Sequence, residues 1–437
     1  MGAGTIMQLV SYGSQDIYIT GNPQITNFKS IYYRHTNFVI ENFEELFVND
    51  VKLNPGNSNT TIINQNTYKI TSIISKKGHL LYKIYLNLEL ERPKSKNNNE
   101  IIPIVQRPAH SLIESVELEI GGQIVDKLYG QWIDIWTQLS HNTNNYQKYK
   151  YTVDGSIQSY NNNLLFNDNS EYPYKYYVNL NFWFAKNPGL ALPIVALNKH
   201  EIKIHVTLNS DTSFIKFPAS HIDRSQKSIN IKASLLCDYI FLDKQELLIF
   251  SNLCHEYLIE NVQRSDLYTL SKTENNANLK LKFNHPVKEL IWVCQDSKYT
   301  SPGTYTYSPF AFNIFSENSQ NGGDFVNHAK LLFNNNYRFK ERDGTYFRIV
   351  QPYQHHSGGF DNQIISSYEK GYIYCYSFSI NPQENQPSGT CNFSRIDDPI
   401  LILNLNDSIG DKKYIRVYAI NYNIFKVFDG MGGLVFS

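Results

Sequence analysis

The chain has 437 residues, of which 41% are hydrophobic and 14% aromatic against 18% charged, which supplies apolar material for a folded core and excludes a solvated, disordered chain. Lys plus Arg number 40 and Asp plus Glu number 40, so no net field draws the chain to phosphate backbones or anionic membranes. At roughly 150 residues per domain three domains are expected, but all-β sandwiches run longer, and two fit as well.

The opening MGAGTIMQLV lacks a basic region followed by an apolar stretch, and no run reaches the ~18 apolar residues of a membrane helix, which reads as a protein made and kept in the cytosol. Gly2 does not complete a myristoylation signal, because position 6 is Ile6 where Ser or Thr is needed.

In HLLYKIYLNLELE, strict alternation places Leu80, Tyr82, Ile84, Leu86, Leu88 and Leu90 on one face of a strand, with Lys83, Asn87 and Glu89 on the other. In IESVELEIGGQIVDKL, Val116, Leu118 and Ile120 alternate with Glu117 and Glu119, and Gly121-Gly122 supplies the positive φ angles of a tight hairpin. Trp132, Ile135, Trp136 and Leu139 recur at helical spacing and predict a short helix over a sheet edge.

EIKIHVTL predicts a further strand through Ile202, Ile204, Val206 and Leu208. In DKQELLIFSNL, Asp243 can cap a helix with Glu246 three residues on, and this helix could join two domains. Period-two patterns return in LKLKF (Leu279, Leu281, Phe283), YIYCYSFSI from Tyr372, LILNL from Leu401 and YIRVYAINYNIF from Tyr414. Asn- and Pro-marked stretches at 94–100, 140–172, 209–228 and 296–324 read as loops, and the whole reads as two antiparallel sandwiches with no sequence repeat between them.

Motifs for chemistry fail one after another. His200-Glu201 and His255-Glu256 begin like the zinc motif H-E-x-x-H, but positions 204 and 259 are Ile204 and Ile259. No nucleophile elbow, phosphate loop or dinucleotide fingerprint is present. His355-His356 are adjacent, but neighbours on a strand point oppositely and no further ligand can be named, so no metal is assigned.

Cys237, Cys254, Cys294, Cys375 and Cys391 are odd in number, contain no C-x-x-C pair, and read as buried thiols in a reducing compartment. Asn59, Asn392 and Asn406 begin N-x-[ST] triplets, which chance explains in so Asn-rich a chain. Tyr172, Tyr174, Tyr176 and Tyr177 could stack on sugars, although aromatic clusters more often fill cores and subunit interfaces.

From Met7, MQLVSYGSQDIYITGNPQITNFKSIYYRHTNF resembles the N-terminal signature of the major capsid proteins of nucleocytoplasmic large DNA viruses, chlorovirus and mimivirus relatives included. The resemblance continues through LIESVELEIGGQIVDK, KNPGLALPIVALNKHEIKI, DYIFLD, HEYLIENVQ, FNHPVKELIWV, VQPYQHH, QPSGTCNFSRID and IRVYAINYNIFKVFDGMGGLVFS, and so covers essentially the whole chain. Asp429, where relatives carry a small uncharged residue, and Asn27, where an aromatic is common, depart from it.

The resemblance implies an all-β fold of two consecutive eight-stranded antiparallel jelly rolls with a few short helices. It divides the chain into an N-terminal arm (1–26), a first jelly roll (27–242) and a second (243–437) opened by a linker helix (243–253). It implies a structural protein of the virion, assembled in the host cytoplasm as homotrimeric, pseudo-hexagonal capsomers that tile an icosahedral shell. The implied partners are the chain itself, neighbouring trimers, minor capsid and penton proteins and an inner membrane beneath the shell, with no direct nucleic acid, no cofactor, no metal and no catalytic residue.

Within that frame Asn22-Pro23 is expected to start a helix that ends an inward-facing arm. Gly430, Gly432 and Gly433 are expected to give the final strand a tight turn through positive φ. Loops 140–172 and 209–228 are expected to form a solvated outer crown. A minor capsid or glycan-binding jelly roll would share the fold but need a concave site with convergent polar groups. A cupin-like enzyme would need a histidine and carboxylate cluster on neighbouring strands.

Overall fold

The computed structural model describes residues 13–48, 51–53, 68–91, 104–154, 174–209, 229–300, 308–312, 323–358, 372–407 and 410–436. The expectations for Gly2, Asn59, Tyr172 and residues 94–100, together with most of 209–228, lie outside these.

The chain forms two units, Met1–Asn37 and Phe38–Ser437. In the first, a single turn of helix, α1 (Ile17–Thr20), follows a tight loop in which Asp16 Oδ2 accepts from Gly13 N at 2.6 Å. No helix starts at Asn22-Pro23: Asn22 is left-handed, with φ 50°, and residues 23–37 carry no helix or strand. Proline disfavours the helical region in the residue before it, and Ile25, Thr26 and Asn27 are weak helix formers.

The second unit begins with β1 (Phe38–Leu46), β2 (Val51–Leu53), β3 (Tyr68–Ile73), β4 (Leu80–Leu90), β5 (Ile113–Ile120), β6 (Gln123–Tyr129), β7 (Tyr174–Asn179), β8 (Ile202–Leu208) and β9 (Ile229–Leu242). They build one sheet in the order β1-β9-β4-β7, with β2 on β9, and another in the order β3-β8-β5-β6.

After the helix Lys244–Asn252 come β10 (His255–Arg264), β11 (Tyr268–Ser271), β12 (Asn276–Lys280), β13 (Pro286–Asp296), β14 (Val326–Phe333) and β15 (Asn336–Asp343). Then follow β16 (Tyr374–Ser377), β17 (Cys391–Asn392), β18 (Pro399–Leu405), β19 (Lys412–Phe428) and β20 (Met431–Leu434). Their sheets run β10-β19-β13-β16 and β12-β18-β14-β15, with β11 and β20 on β19 and β17 on β13.

Leaving the short extra strands aside, both halves connect their strands alike: first-eighth-third-sixth in one sheet and second-seventh-fourth-fifth in the other. This is the double jelly roll that the resemblance implied. The repeat is invisible in residue identity, because connectivity depends on alternation and turns rather than on particular side chains.

Alternation holds in β18, where Pro399, Leu401, Leu403 and Leu405 are buried, and in β8, where Ile202, Ile204, Val206 and Leu208 are, with His205 alone buried from the other face. The Gly121-Gly122 turn has φ 58° and 87°, as the hairpin requires.

In β4 the expected face breaks. Its register against β9 slips between Leu81 and Ile84, an extra-residue bulge. Leu81 therefore joins Ile84 and Leu86 in the main core, while Leu80 and Tyr82 pack elsewhere with Ile240, Leu242 and Phe250.

Among the helices of this unit are α2 (Gly130–Ser140), α3 (Thr143–Asp154), α4 (Trp183–Lys186), α5 (Lys244–Asn252) and α6 (Gln351–His355), with shorter turns at Pro108–Leu112 and Ser297–Thr300. Trp132, Ile135 and Leu139 bury along α2 as their spacing predicts. Asp243 Oδ1 caps α5 by accepting from Gln245 N at 3.0 Å and Glu246 N at 2.9 Å.

Two loop expectations need correcting. Residues 143–154 are helical and bury Val153, and Asn142 Oδ1 accepts from Asn145 N at 2.9 Å near the start of that helix. In 296–324, Ser297–Thr300 are helical, and Tyr299, Phe310, Ala311 and Phe312 are buried. The cysteines are not uniformly buried either, since Cys254 is exposed and Cys391 half-buried.

Candidate functional site

A seam runs through the second unit where the strands after His255 meet those before Leu242. The sequence crowds aromatic residues here, and they bridge it. Trp183 of α4 lies against Tyr257 and Phe425, with ring centroids 5.7 and 5.4 Å away. Trp132 of α2 lies 5.2 Å from Tyr418. Such pairs bury large apolar areas and hold a defined geometry. With α2 against it at Tyr418, β19 is buried without interruption from Val417 to Asn423 rather than alternately.

Polar groups then fix the register. Glu260 on β10 accepts from Lys186 of α4 at 2.8 Å and from Lys288 on β13, whose side chain is 0% exposed. Burial alone would raise the Glu260 carboxyl, but the two ammonium groups outweigh it and hold it below the usual carboxylate range. Burial pulls Lys288 below the ordinary lysine value, with Glu260 opposing. Lys288 itself is the extra residue of a bulge between Val287 and Glu289.

Further along, burial pushes Asp126 up to about 6, with Lys186 pulling the other way. Asn261 Nδ2 donates to Val125 O at 2.9 Å. Gln131 joins Gln295 at 3.1 Å and the Tyr418 hydroxyl at 2.7 Å. Arg264 pairs with Glu114 at 3.3 Å and stacks its guanidinium 3.8 Å from the Tyr129 ring centroid.

The second half also caps a helix of the first. A helix leaves its last carbonyls without intrahelical donors. At the end of α2, Leu139 O accepts from Gly358 N at 2.8 Å and from Gln383 Nε2 at 2.9 Å, and Ser140 O accepts from Ser357 Oγ at 2.7 Å. A side chain at Gly358 would collide with the Leu139 and Gln138 carbonyls.

This capping segment is held by His356, whose Nε2 donates to Glu289 Oε1 at 2.6 Å and whose Nδ1 accepts from Gln383 Nε2 at 2.9 Å. The adjacent histidines thus lie at the end of α6, not on a strand, and His355 turns away to the Ile380 carbonyl at 2.8 Å. Burial and the neighbouring Glu289 charge push the Cys375 thiol well up.

At the C-terminal hairpin the three glycines have different roles. Asp429 and Gly430, at φ 49° and 80°, make the two-residue turn between β19 and β20. Gly432 and Gly433 do not have positive φ. A Cβ on Gly432 would lie 2.7 Å from Leu197 Cδ2 and 2.8 Å from Phe425 Cζ, so it is small because the first half presses on it. Asp429 pairs with Lys199 at 2.7 Å, which gives the departure from the family pattern a partner.

One cluster has the composition of a proton relay. His110 Nδ1 faces Asp134 Oδ1 at 3.3 Å and His110 Nε2 faces the Tyr149 hydroxyl at 2.8 Å, with Arg107 Nε 2.9 Å from the same carboxylate oxygen. Burial, then the Asp134 charge, pushes the Tyr149 hydroxyl up, away from a usable nucleophile or base. His110 and Asp134 are sealed, at 0% and 1% side-chain exposure, so the cluster pins α2 and α3 together rather than meeting a substrate.

His200 and His255 likewise bond backbone, at Gly432 O and Phe250 O. Tyr174 and Tyr176 are buried and stacked, which makes them core rather than a sugar platform.

The chain matches two family descriptions, "Major capsid protein N-terminus" over residues 26–243 and "Large eukaryotic DNA virus major capsid protein" over residues 246–433. It is 36% identical to the major capsid protein of Pyramimonas orientalis virus and 34% identical to that of Paramecium bursaria Chlorella virus 1, in each case over 100% of both chains.

A chain of the quasi-atomic PBCV-1 virus capsid superposes with a TM-score of 0.74 at 30% identity, covering 94% of this chain and 100% of that one. The Faustovirus major capsid protein shares the fold, with a TM-score of 0.72 at 11% identity over 96% of this chain and 95% of that one. With two jelly rolls of one topology fused along a buried seam, and relatives alike from end to end, the chain belongs to the major capsid proteins of the large eukaryotic DNA viruses.

Proposed function

We propose that this chain works as a tile: three copies form a pseudo-hexagonal capsomer, and capsomers join into an icosahedral shell. The observation that carries this reading is the seam. Two sandwiches of identical connectivity lie in one compact unit, so three chains present six similar modules. Wide interfaces would hold the trimer and smaller polar edges would let trimers associate reversibly. No step of this function needs a catalytic residue.

The modules divide as an arm (1–26), a first jelly roll (27–242) and a second (243–437) entered through α5. In the first unit Tyr18, Ile19, Phe28, Tyr32 and Tyr33 are exposed, apolar surface that suits bracing a neighbouring trimer. Minor capsid and penton proteins would fill the junctions, assembly would take place in the host cytoplasm, and any contact with an inner membrane would be peripheral.

Light scattering on the purified chain tests the tile. A mass near three times 50.6 kDa is expected, and a stable monomer at micromolar concentration would overturn it. Protease protection of residues 1–37 in assembled shells but not in free trimers is the expected mark of bracing. Equal cleavage in both would remove it.

A further inference from the structure

We propose that Glu289, His356 and Cys375 hold a divalent metal ion of the zinc class, a structural pin under the seam. One ligand atom from each of the three lies within 4.8 Å of the other two. The side chains of Glu289 and His356 are 0% exposed, and Cys375 is 0% exposed.

Three separate elements bring them together. Glu289 is on β13 and Cys375 on β16, neighbouring strands in which Glu289 pairs with Ser377 and Ile291 with Cys375, so the two ligands sit diagonally across one ladder. His356 comes from the segment that caps α2.

The donor set fits zinc. A thiolate, an imidazole and a carboxylate form a mixed soft and borderline set, and zinc accepts all three in four-coordinate sites with a fourth position for water. Charge balance agrees, since a divalent cation with one thiolate and one carboxylate is neutral, the form that a fully buried site tolerates.

The molecule carries the complementary deficit. Glu289 Oε2 is buried with no nitrogen or oxygen partner, and the Cys375 thiol bonds the same carboxylate. The adjacent ammonium that could compensate it, Lys288, goes to Glu260. To bind the ion, His356 Nε2 would leave Glu289 and Nδ1 would carry the proton, so Gln383 would turn its amide oxygen to the ring, which lies edge-to-face with Trp136 at 6.2 Å. An ion here would tie β13, β16 and the capping segment to one point, and through Gln383 and Gly358 to the end of α2.

The test is metal content of the full-length protein, expressed with zinc added and purified without chelator. About one zinc per chain is expected, retained through dialysis of the folded protein against EDTA and released on denaturation. Cys375→Ser and His356→Gln should each lose it, whereas Cys254→Ser, at an exposed thiol, should keep it.

If Cys375→Ser does not fold, cobalt-loaded wild type decides, because a thiolate-to-cobalt absorption band requires a cysteine ligand and its absence would overturn the site. Protein with no zinc after growth and refolding in zinc, and an unfolding temperature moved by neither zinc nor chelator, would overturn it as well. So would zinc retained in folded Cys375→Ser.

Discussion

Glu260→Gln isolates what the seam's charges contribute. The substitution keeps the shape of the side chain and removes the charge that faces Lys186 at 2.8 Å and the fully buried Lys288. Lys186 is 25% exposed and can turn its ammonium to water, but Lys288 is 0% exposed and cannot. Removing one partner of a buried pair costs about 3–5 kcal/mol, and that is the loss expected in denaturant-unfolding free energy at neutral pH.

The pH dependence identifies the cause. Lys288 without its counter-charge lies further below the ordinary lysine value than before, so between its folded and unfolded values the unfolded chain binds more protons and stability rises with pH. The deficit of the variant should therefore shrink as pH rises from neutral towards the ordinary lysine value of about 10.4, because Lys288 becomes neutral in the folded state first.

In acid the two proteins should converge. The folded Glu260 carboxyl is depressed, so its contribution is whole above about 4.3, the ordinary glutamate value, and is lost as pH falls through the lower folded value. Glu260→Leu with Lys288→Met, which removes both buried charges, should recover most of the loss. A loss below about 1 kcal/mol at neutral pH, the range of exposed pairs, or one that stays constant with pH, would refute the reasoning.

Asp126, raised to about 6 by burial, is favoured in its protonated form when folded, so its contribution is present below the ordinary aspartate value and is lost as pH rises to about 6; Asp126→Asn should flatten that decline in a stability-pH profile. The Gly121-Gly122 turn gives a contrast readable by thermal unfolding: Gly121→Ala drives its Cβ into the His200 ring and should destabilise more than Gly122→Asn, which meets no atom and is strained by its φ of 87° alone, at about 1 kcal/mol. Gly432→Val should cost about 1–3 kcal/mol by overpacking against Leu197 and Phe425. Asp243→Ala should cost about 1 kcal/mol through the lost cap of α5, and an unchanged unfolding midpoint would deny the cap its role.

Much of the fold is legible from local pattern, because a sheet buried on one face writes its period into the chain, as β8 and β18 do. The pattern fails where a second surface intervenes. In β4 a bulge moves Leu80 and Tyr82 to another cluster, and in β19 the first half covers what would otherwise be a polar face. Helix α3 stays hidden because only Val153 and a few tyrosines interrupt its Asn, Gln and Lys.

The seam is least legible of all. Glu260 and Lys186 are far apart along the chain, and nothing local marks a residue as one that will meet its partner after the halves dock; Glu289, His356 and Cys375 are likewise unmarked, although the second half alone brings them together. Resemblance to a family implies the architecture, but the glycine and histidine roles depend on neighbours distant in the chain: Gly432 is small for space, and His356 leaves a helix end rather than a strand.

The long strand β19 also imposes an order on synthesis. It is hydrogen-bonded to β10, β11, β13 and β20, and yet β10 to β18 all precede it. A nascent chain can close its first sandwich once β9 has emerged from the ribosome, but the second must wait, with β10 and β13 unjoined, until β19 arrives. Pairing across such separations is slow and leaves strand edges open in the interval. Prematurely terminated chains would then expose edges that chaperones and proteases recognise, so that only chains translated through β19 reach the assembly pool.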